Sequence, residues 1–403
     1  MNIALFSQLP NATKQYILIT FNYWAFTLTD GALRMLVVLH FYALGYSPLN
    51  IAMLFLFYEF FGVITNLIGG WLGAKIGLNH TMNIGLITQV LALLMLTVPE
   101  PYLMVWWVML AQALSGIAKD LNKMSAKSSI KMLVPAGENS GLYKWVALLT
   151  GSKNALKGIG FFIGAVLLST IGFKGAMILM AAILLVVALF SANFLQQDLG
   201  RTSYKPKFSQ LFSHSSSLNY LALARLTLFA ARDVWFVVAL PVFLAQQLHW
   251  SHQFIGAFMA FWVIFYGIIQ TLSPKITGKS HGKLPSGSML SFWAFLLVAV
   301  TLLLIIFLQI SSSISIAIII GLLVFAAVFA VNSSLHSYVI IALAKADGVS
   351  MDVGFYYMAN AMGRLIGTVL SGVIFQFYGL IPCLVISAIL ALLSGIFIKK
   401  ITV

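Results

Sequence analysis

Long apolar stretches separated by short polar breaks run along the chain from Tyr16 to Ile398. Each is about 20 residues or longer, enough for a helix to cross a hydrocarbon core about 30 Å thick. Helices are required, because an isolated strand would leave backbone groups unpaired in lipid. The pattern predicts an all-α membrane protein with twelve transmembrane helices at 15–44, 48–74, 80–98, 102–131, 142–170, 174–195, 218–244, 253–273, 288–309, 313–344, 351–378 and 380–398. The one long polar stretch, Gln196 to Ser217, follows the sixth helix and reads as a linker joining two six-helix bundles, 1–195 and 218–403.

Twelve spans place both termini on one side of the membrane. The segments on that side hold Lys14, Lys75, Lys119, Lys123, Lys127, Lys131, Lys144, Arg201, Lys205, Lys207, Lys275, Lys279, Lys283, Lys345, Lys399 and Lys400, whereas the opposite turns hold only Lys174. This bias predicts a multi-pass protein of the cell inner membrane with both termini cytoplasmic. With 61% hydrophobic and 8% charged residues, water is not the chain's main solvent. The net charge of +14 follows membrane sidedness, which argues against a nucleic-acid partner. The single Cys383 excludes a disulfide framework or a multi-thiolate metal site built by one chain. No basic region precedes the short stretch Ile3 to Phe6, so the first span is expected to be its own insertion signal. No cofactor is expected, and the protein is expected to be a monomer.

Six cations, Arg34, Lys153, Lys157, Arg225, Arg232 and Arg364, fall well inside the predicted spans, against three acids, Asp30, Glu59 and Asp233. A charge at mid-bilayer costs roughly 2.5–3.5 kcal/mol, so these groups must face a partner, water or a ligand. The third, sixth, ninth and twelfth spans carry none in their apolar cores. Residues four or seven apart share a helix face. Asp30 with Arg34, Lys153 with Lys157, Arg225 with Arg232, Asn332 with His336, and Tyr356 with Asn360 and Arg364 form such faces. Internal pairs, Asp30 with Arg34 and Asp233 with Arg232, are one reading of these charges. Three carboxylates cannot answer six cations, and a bound anion is the simplest missing partner. The planar guanidinium suits oxyanions, so Arg34, Arg232 and Arg364 are the expected clamps. Lys153, Lys157, Arg225, Asn332, His336, Tyr356 and Asn360 complete the expected binding set. Asp30, Glu59 and Asp233 are the candidates for proton coupling or ion pairing.

Lys119, Lys123, Lys127 and Lys131 repeat every four residues, which predicts a solvated stripe touching anionic lipid. The alternative is a funnel that concentrates anionic solute, with Asp120, Asn122 and Ser125 as a polar wall. Asn154-Ala155-Leu156-Lys157-Gly158 resembles Asn360-Ala361-Met362-Gly363-Arg364, and a similar offset brings Asp30 onto Asp233, as expected of a duplicated half. No phosphate-binding loop, metal-ligand cluster or nucleophile elbow is present in the sequence, which leaves secondary transport or facilitated diffusion rather than an ATP-driven pump or an enzyme.

Gly70-Trp71-Leu72-Gly73-Ala74-Lys75-Ile76-Gly77 resembles the glycine-bounded gating loop of major facilitators, with Ala74 where an acid is usual. The charge-free third, sixth, ninth and twelfth spans are also what the major facilitator fold implies. Four segments look like the ArsJ-type organoarsenical efflux permeases: Asn22 to Phe41, Ala113 to Lys131, Leu149 to Gly158 and Ala231 to Pro241. They include Thr29-Asp30-Gly31-Ala32-Leu33-Arg34, Gly151-Ser152-Lys153-Asn154-Ala155-Leu156-Lys157 and Ala231-Arg232-Asp233-Val234-Trp235. The resemblance implies export of 1-arseno-3-phosphoglycerate, the ester that glyceraldehyde-3-phosphate dehydrogenase makes when arsenate replaces phosphate, and hence arsenate resistance. It assigns no residue roles. Proton antiport is the expected coupling. An organophosphate or phosphate transporter fits the same cations, whereas a cationic-drug exporter would need an acidic cavity and a membrane sensor a larger extramembrane domain.

Overall fold

Apolar runs bounded by glycine, proline and serine become helices throughout. The computed structural model describes residues 11–46, 53–133, 139–195, 199, 215–237, 239–250, 252–278, 285–344 and 349–401, and among these there is no strand. The helices are α1 (Asn11–Ala43), α2 (Leu56–Ile76), α3 (Leu78–Met95) and α4 (Val105–Leu133), with a 3-10 turn at Glu100–Tyr102 before α4. The run Asn139–Phe194 is broken only at Gly172, whose φ of 71° is outside helical space, and so comprises α5 (139–171) and α6 (173–194). This is where the sequence places a turn. α7 (Ser216–Phe236) is followed by a short helix, Ala239–Gln246. Then come α8 (His252–Ile276), α9 (Gly287–Ile310), α10 (Ile314–Leu343), α11 (Val349–Tyr378) and α12 (Leu380–Ile398). Eight spans among the described residues are long and apolar enough to cross a membrane.

Local chemistry sets several ends. Ser215 and Ser286 cap α7 and α9 by accepting from the backbone N–H groups of Leu218 and Met289. The sequence ends the eighth helix at 273, before Pro274, yet α8 continues to Ile276. Proline has no N–H to offer the carbonyl four residues earlier. The Ser273 hydroxyl takes that place, donating to the Gln270 carbonyl at 2.6 Å, and the last turn survives.

The chain divides into two compact units, which depart from the expected halves in two places. The first comprises 1–145, 156–212 and 344–358, and the second 146–155, 213–343 and 359–403. One stretch of α5 therefore packs with the second unit, and the first turns of α11 pack with the first. Apart from Leu199 and 215–217, the expected linker lies outside the described residues.

Within each unit the same packing device recurs. In the first, Gly160 and Gly164 of α5 lie against Leu28 and Ala32 of α1, with a Cβ on Gly160 falling 2.5 Å from the Leu28 carbonyl oxygen. In the second, Gly363 and Gly367 of α11 lie against Leu226 and Ala230 of α7. This fixes the internal repeat and corrects the register read from sequence. Gly160 and Gly363 are 203 residues apart, whereas Leu28 and Leu226 are 198 apart. Arg34 thus matches Arg232, and Lys157 matches Asn360. Asp30 and Asp233 do not occupy equivalent positions. Real Cβ atoms do not approach backbone oxygen so closely, so Gly160→Val must push α5 off α1. The expected result is a several-degree drop in unfolding temperature and loss of monodisperse protein in size-exclusion chromatography.

Large apolar side chains such as Phe162, Ile310 and Phe377 are exposed, whereas Asn66, Asn122, Asp233 and His336 are fully buried. That inverts the pattern of a water-soluble protein and suits a lipid surround. The core of the second unit gathers around Trp235, Trp262, Phe325 and Phe329, with Trp262 donating its ring N–H to the Leu322 carbonyl.

Candidate functional site

Close approach of α2 to α4 builds the polar cluster of the first unit. The place of a Cβ on Gly116 is filled by the backbone of Tyr58, and that of a Cβ on Gly62 by the carboxylate of Asp120. Tyr58 and Glu59 are thereby set beside Lys119 and Asp120. The Tyr58 ring lies between two cations, with the Arg34 guanidinium 4.7 Å and the Lys119 ammonium 3.8 Å from its centre. Its hydroxyl donates to Asp30 at 2.6 Å. Arg34 reaches Glu59 at 3.4 Å, and Lys119 lies 4.0 Å from Glu59 and 3.5 Å from Asp120. Lys123 also pairs with Asp120, and Lys127 donates to the Tyr357 hydroxyl at 2.6 Å.

This overturns the reading of Lys119, Lys123 and Lys127 as a solvated stripe. Lys123 and Lys127 are 8% and 3% exposed and point inward. A four-residue repeat reveals that the lysines share a face and is silent on which way that face turns. The paired arrangement of Asp30 with Arg34 is also more complex than expected, since Tyr58 serves the acid and Glu59 the guanidinium.

The second unit is more one-sided, because Asp233 is the only acidic residue in its sequence. Asp233 is fully buried and accepts from Arg232 at 2.5 Å and from Arg364 at 3.3 Å. Gly367 lets α11 approach the Cβ of Asp233, which brings Arg364 to the same carboxylate. Arg225, 3% exposed, donates to Asn360 at 2.8 Å and to the carbonyl and hydroxyl of Ser333, each at 3.1 Å. Its guanidinium lies 4.0 Å over the Phe229 ring. Neither nitrogen of the fully buried His336 has a hydrogen-bond partner among the described residues, and Arg225 is within electrostatic reach.

Of the residues singled out from sequence, Arg225, Arg232, Asp233, Asn360 and Arg364 come together here. Asn332, one turn before His336 on α10, donates to the Trp293 carbonyl of α9 at 2.8 Å. Tyr356 belongs to the first unit, where its ring meets that of Tyr357. Lys153 and Lys157, both partly buried, also fall in different units, and between them Asn154 donates to Gln270 of α8 at 2.5 Å. Tyr58, Lys123 and Tyr357 escaped the sequence reading as site residues. The signal for the lysine was its succession to Asp120 within an apolar span.

Ionised side chains buried inside each unit of a multi-pass helical protein with an apolar exterior mark a path for a solute or an ion. The chain belongs to the Major Facilitator Superfamily, which its residues 16–279 match. No curated protein matches the sequence. Among solved structures, a bacterial homologue of the iron transporter ferroportin in an outward-facing state has a TM-score of 0.74 at 14% identity, covering 97% of this chain and 99% of its own. The E. coli fucose:proton symporter gives 0.71 at 13%, covering 96% and 98%, and a human organic anion transporter gives 0.73 at 15%, covering 97% and 100%. At such identities the likeness shows the fold alone, which is the twelve-helix major facilitator fold. Family and fold make this chain a secondary transporter of small solutes, embedded in a lipid bilayer.

Proposed function

We propose that the protein exports a small organic oxyanion from the cytoplasm, specifically 1-arseno-3-phosphoglycerate, and so confers arsenate resistance. The observation that carries this is the charge imbalance of the second unit, where the one carboxylate in its sequence is shared by the guanidiniums of Arg232 and Arg364. Such a cluster is short of negative charge, and a phosphate or arsenate group supplies it through forked, charge-assisted hydrogen bonds. The resemblance of four segments to organoarsenical permeases supports the arsenoester, and one of these segments holds Arg232 and Asp233. Trivalent arsenic favours thiolates, whereas the chain has Cys383 alone.

In this reading both termini lie in the cytoplasm and the protein works in the inner membrane by alternating access. Glyceraldehyde-3-phosphate dehydrogenase supplies the solute. Coupling to protons runs through Asp30, Glu59 and Asp233. The test is arsenate resistance in cells that express this chain with and without the dehydrogenase. Protection that depends on the dehydrogenase is the expected result, and equal protection against arsenite would overturn the proposed solute. An organophosphate transporter is the second reading, favoured by the same cations. Competition between the arsenoester and 3-phosphoglycerate for flux in proteoliposomes separates the two.

A further inference from the structure

The start of α9 and the end of α12 meet in a groove that transport does not use. A Cβ on Gly395 of α12 would fall 3.1 Å from the Phe295 ring of α9, and one on Gly287 would lie 3.7 Å from the Ile401 carbonyl oxygen. Between these contacts is a groove of about 520 Å³, lined by Ser288, Ser291, Phe292, Phe295, Ile398 and Lys399, all of the second unit. The Lys399 ammonium is drawn over the Phe295 ring, 4.9 Å from its centre, and that of Lys400 over Tyr220 at 5.2 Å. Neither lysine pairs with a carboxylate among the described residues, since Asp233, the one acidic residue in the unit's sequence, is held by Arg232 and Arg364.

A second observation points to a ligand. Ser291 lines the groove, is 9% exposed, and its hydroxyl has no hydrogen-bond partner among the described residues. A hydroxyl inside a helix commonly donates to a carbonyl one turn back, as Thr301 of α9 does to Leu297 at 2.7 Å. At the rim, Ser286 caps the N–H of Met289 and leaves those of Gly287 and Ser288 open. Phe292, which also lines the groove, is strongly exposed, and α12 exposes Leu392 and Ile396 in its last two turns. Hydrogen-bond donors and a cation therefore stand directly beside apolar surface at the end of two membrane helices. A phospholipid has that division, with a charged phosphate joined to acyl chains, whereas a free phosphate makes no use of the apolar part.

We propose that this groove binds an anionic phospholipid of the surrounding bilayer. Lys399, the Ser288 hydroxyl and the open N–H groups of α9 take the headgroup phosphate. Ser291, one turn further along α9, donates to an ester oxygen, and an acyl chain lies against Phe292. The site is independent of which solute the protein carries, because none of these residues belongs to the buried charge clusters.

The test is native mass spectrometry of the purified full-length protein with phosphatidylglycerol, with phosphatidylcholine of the same chains and with inorganic phosphate, thermal stability being followed in parallel. The parent should retain phosphatidylglycerol in preference to phosphatidylcholine. Lys399→Gln should cut that preference about fivefold, one lysine's share of the attraction to an anionic headgroup. Ser291→Ala removes only an unpartnered hydroxyl, so it should fold as the parent does and retain the lipid about fivefold less well. Lys174→Gln, which neutralises an exposed lysine of the first unit, should leave retention unchanged. Equal retention of the two lipids by the parent would overturn the site, as would parental retention in either Lys399→Gln or Ser291→Ala, or an equal loss in Lys174→Gln. If inorganic phosphate stabilises the parent as much as phosphatidylglycerol does, and Lys399→Gln abolishes both effects, the groove takes a free anion and the lipid assignment fails.

Discussion

Asp233→Asn is expected to destabilise the protein by about 3–5 kcal/mol, because it leaves the partly buried guanidiniums of Arg232 and Arg364 around a neutral amide. The carboxylate is fully buried, and no other acidic residue occurs in the second unit to take its place. The loss should be largest without anion and should shrink as phosphate is added, since a bound oxyanion restores the missing charge. Thermal unfolding of the purified variant with and without phosphate checks this. A fall in stability that phosphate does not lessen would mean that the two arginines are braces only. Arg364→Gln in the Asp233→Asn background removes one of the two guanidiniums that the carboxylate held, so the double variant should be more stable than Asp233→Asn alone. The two sites are in contact and their effects should not add.

The second large effect is on transport. Arg364→Gln in the parent keeps Asp233 paired with Arg232, so the fold should hold, whereas one of the two forks that the proposed oxyanion needs is gone. Truncating one partner of a buried charge pair costs about 2–5 kcal/mol, so flux at low solute concentration should fall by about 10²-fold. Arg364→Lys keeps the charge and loses the planar fork, and should recover only part of the activity. Flux into proteoliposomes at matched protein content is the measurement. An unchanged Arg364→Gln would remove this guanidinium from the site.

Much of the fold was legible because apolar length and glycine or proline punctuation are local signals. The expected and observed limits of α12 coincide, and the turn between α5 and α6 falls at Gly172. Limits failed where a side chain repaired what the backbone lacked, as Ser273 does for Pro274. The site was half legible. Counting charges in apolar spans found Arg225, Arg232, Asp233 and Arg364, since ionised groups in lipid are too costly to be incidental. It missed the inward turn of Lys123 and Lys127, because in a membrane protein a basic stripe near a helix end has the same sequence whether it meets water or the protein interior. Helical spacing puts Asn332 with His336 on α10, and it is silent on the partner, which for Asn332 is the Trp293 carbonyl of α9.

The glycine rungs that lock α1 to α5 and α7 to α11 constrain length as well as contact. The stretch from Leu28 to Gly160 spans 132 positions and that from Leu226 to Gly363 spans 137, although both end in the same contact. Set side by side on these contacts, the two stretches differ by a net five residues, which lie in the intervening connections and helix ends, while the points where backbones touch keep equivalent partners. Length is therefore free to change between the rungs and not at them.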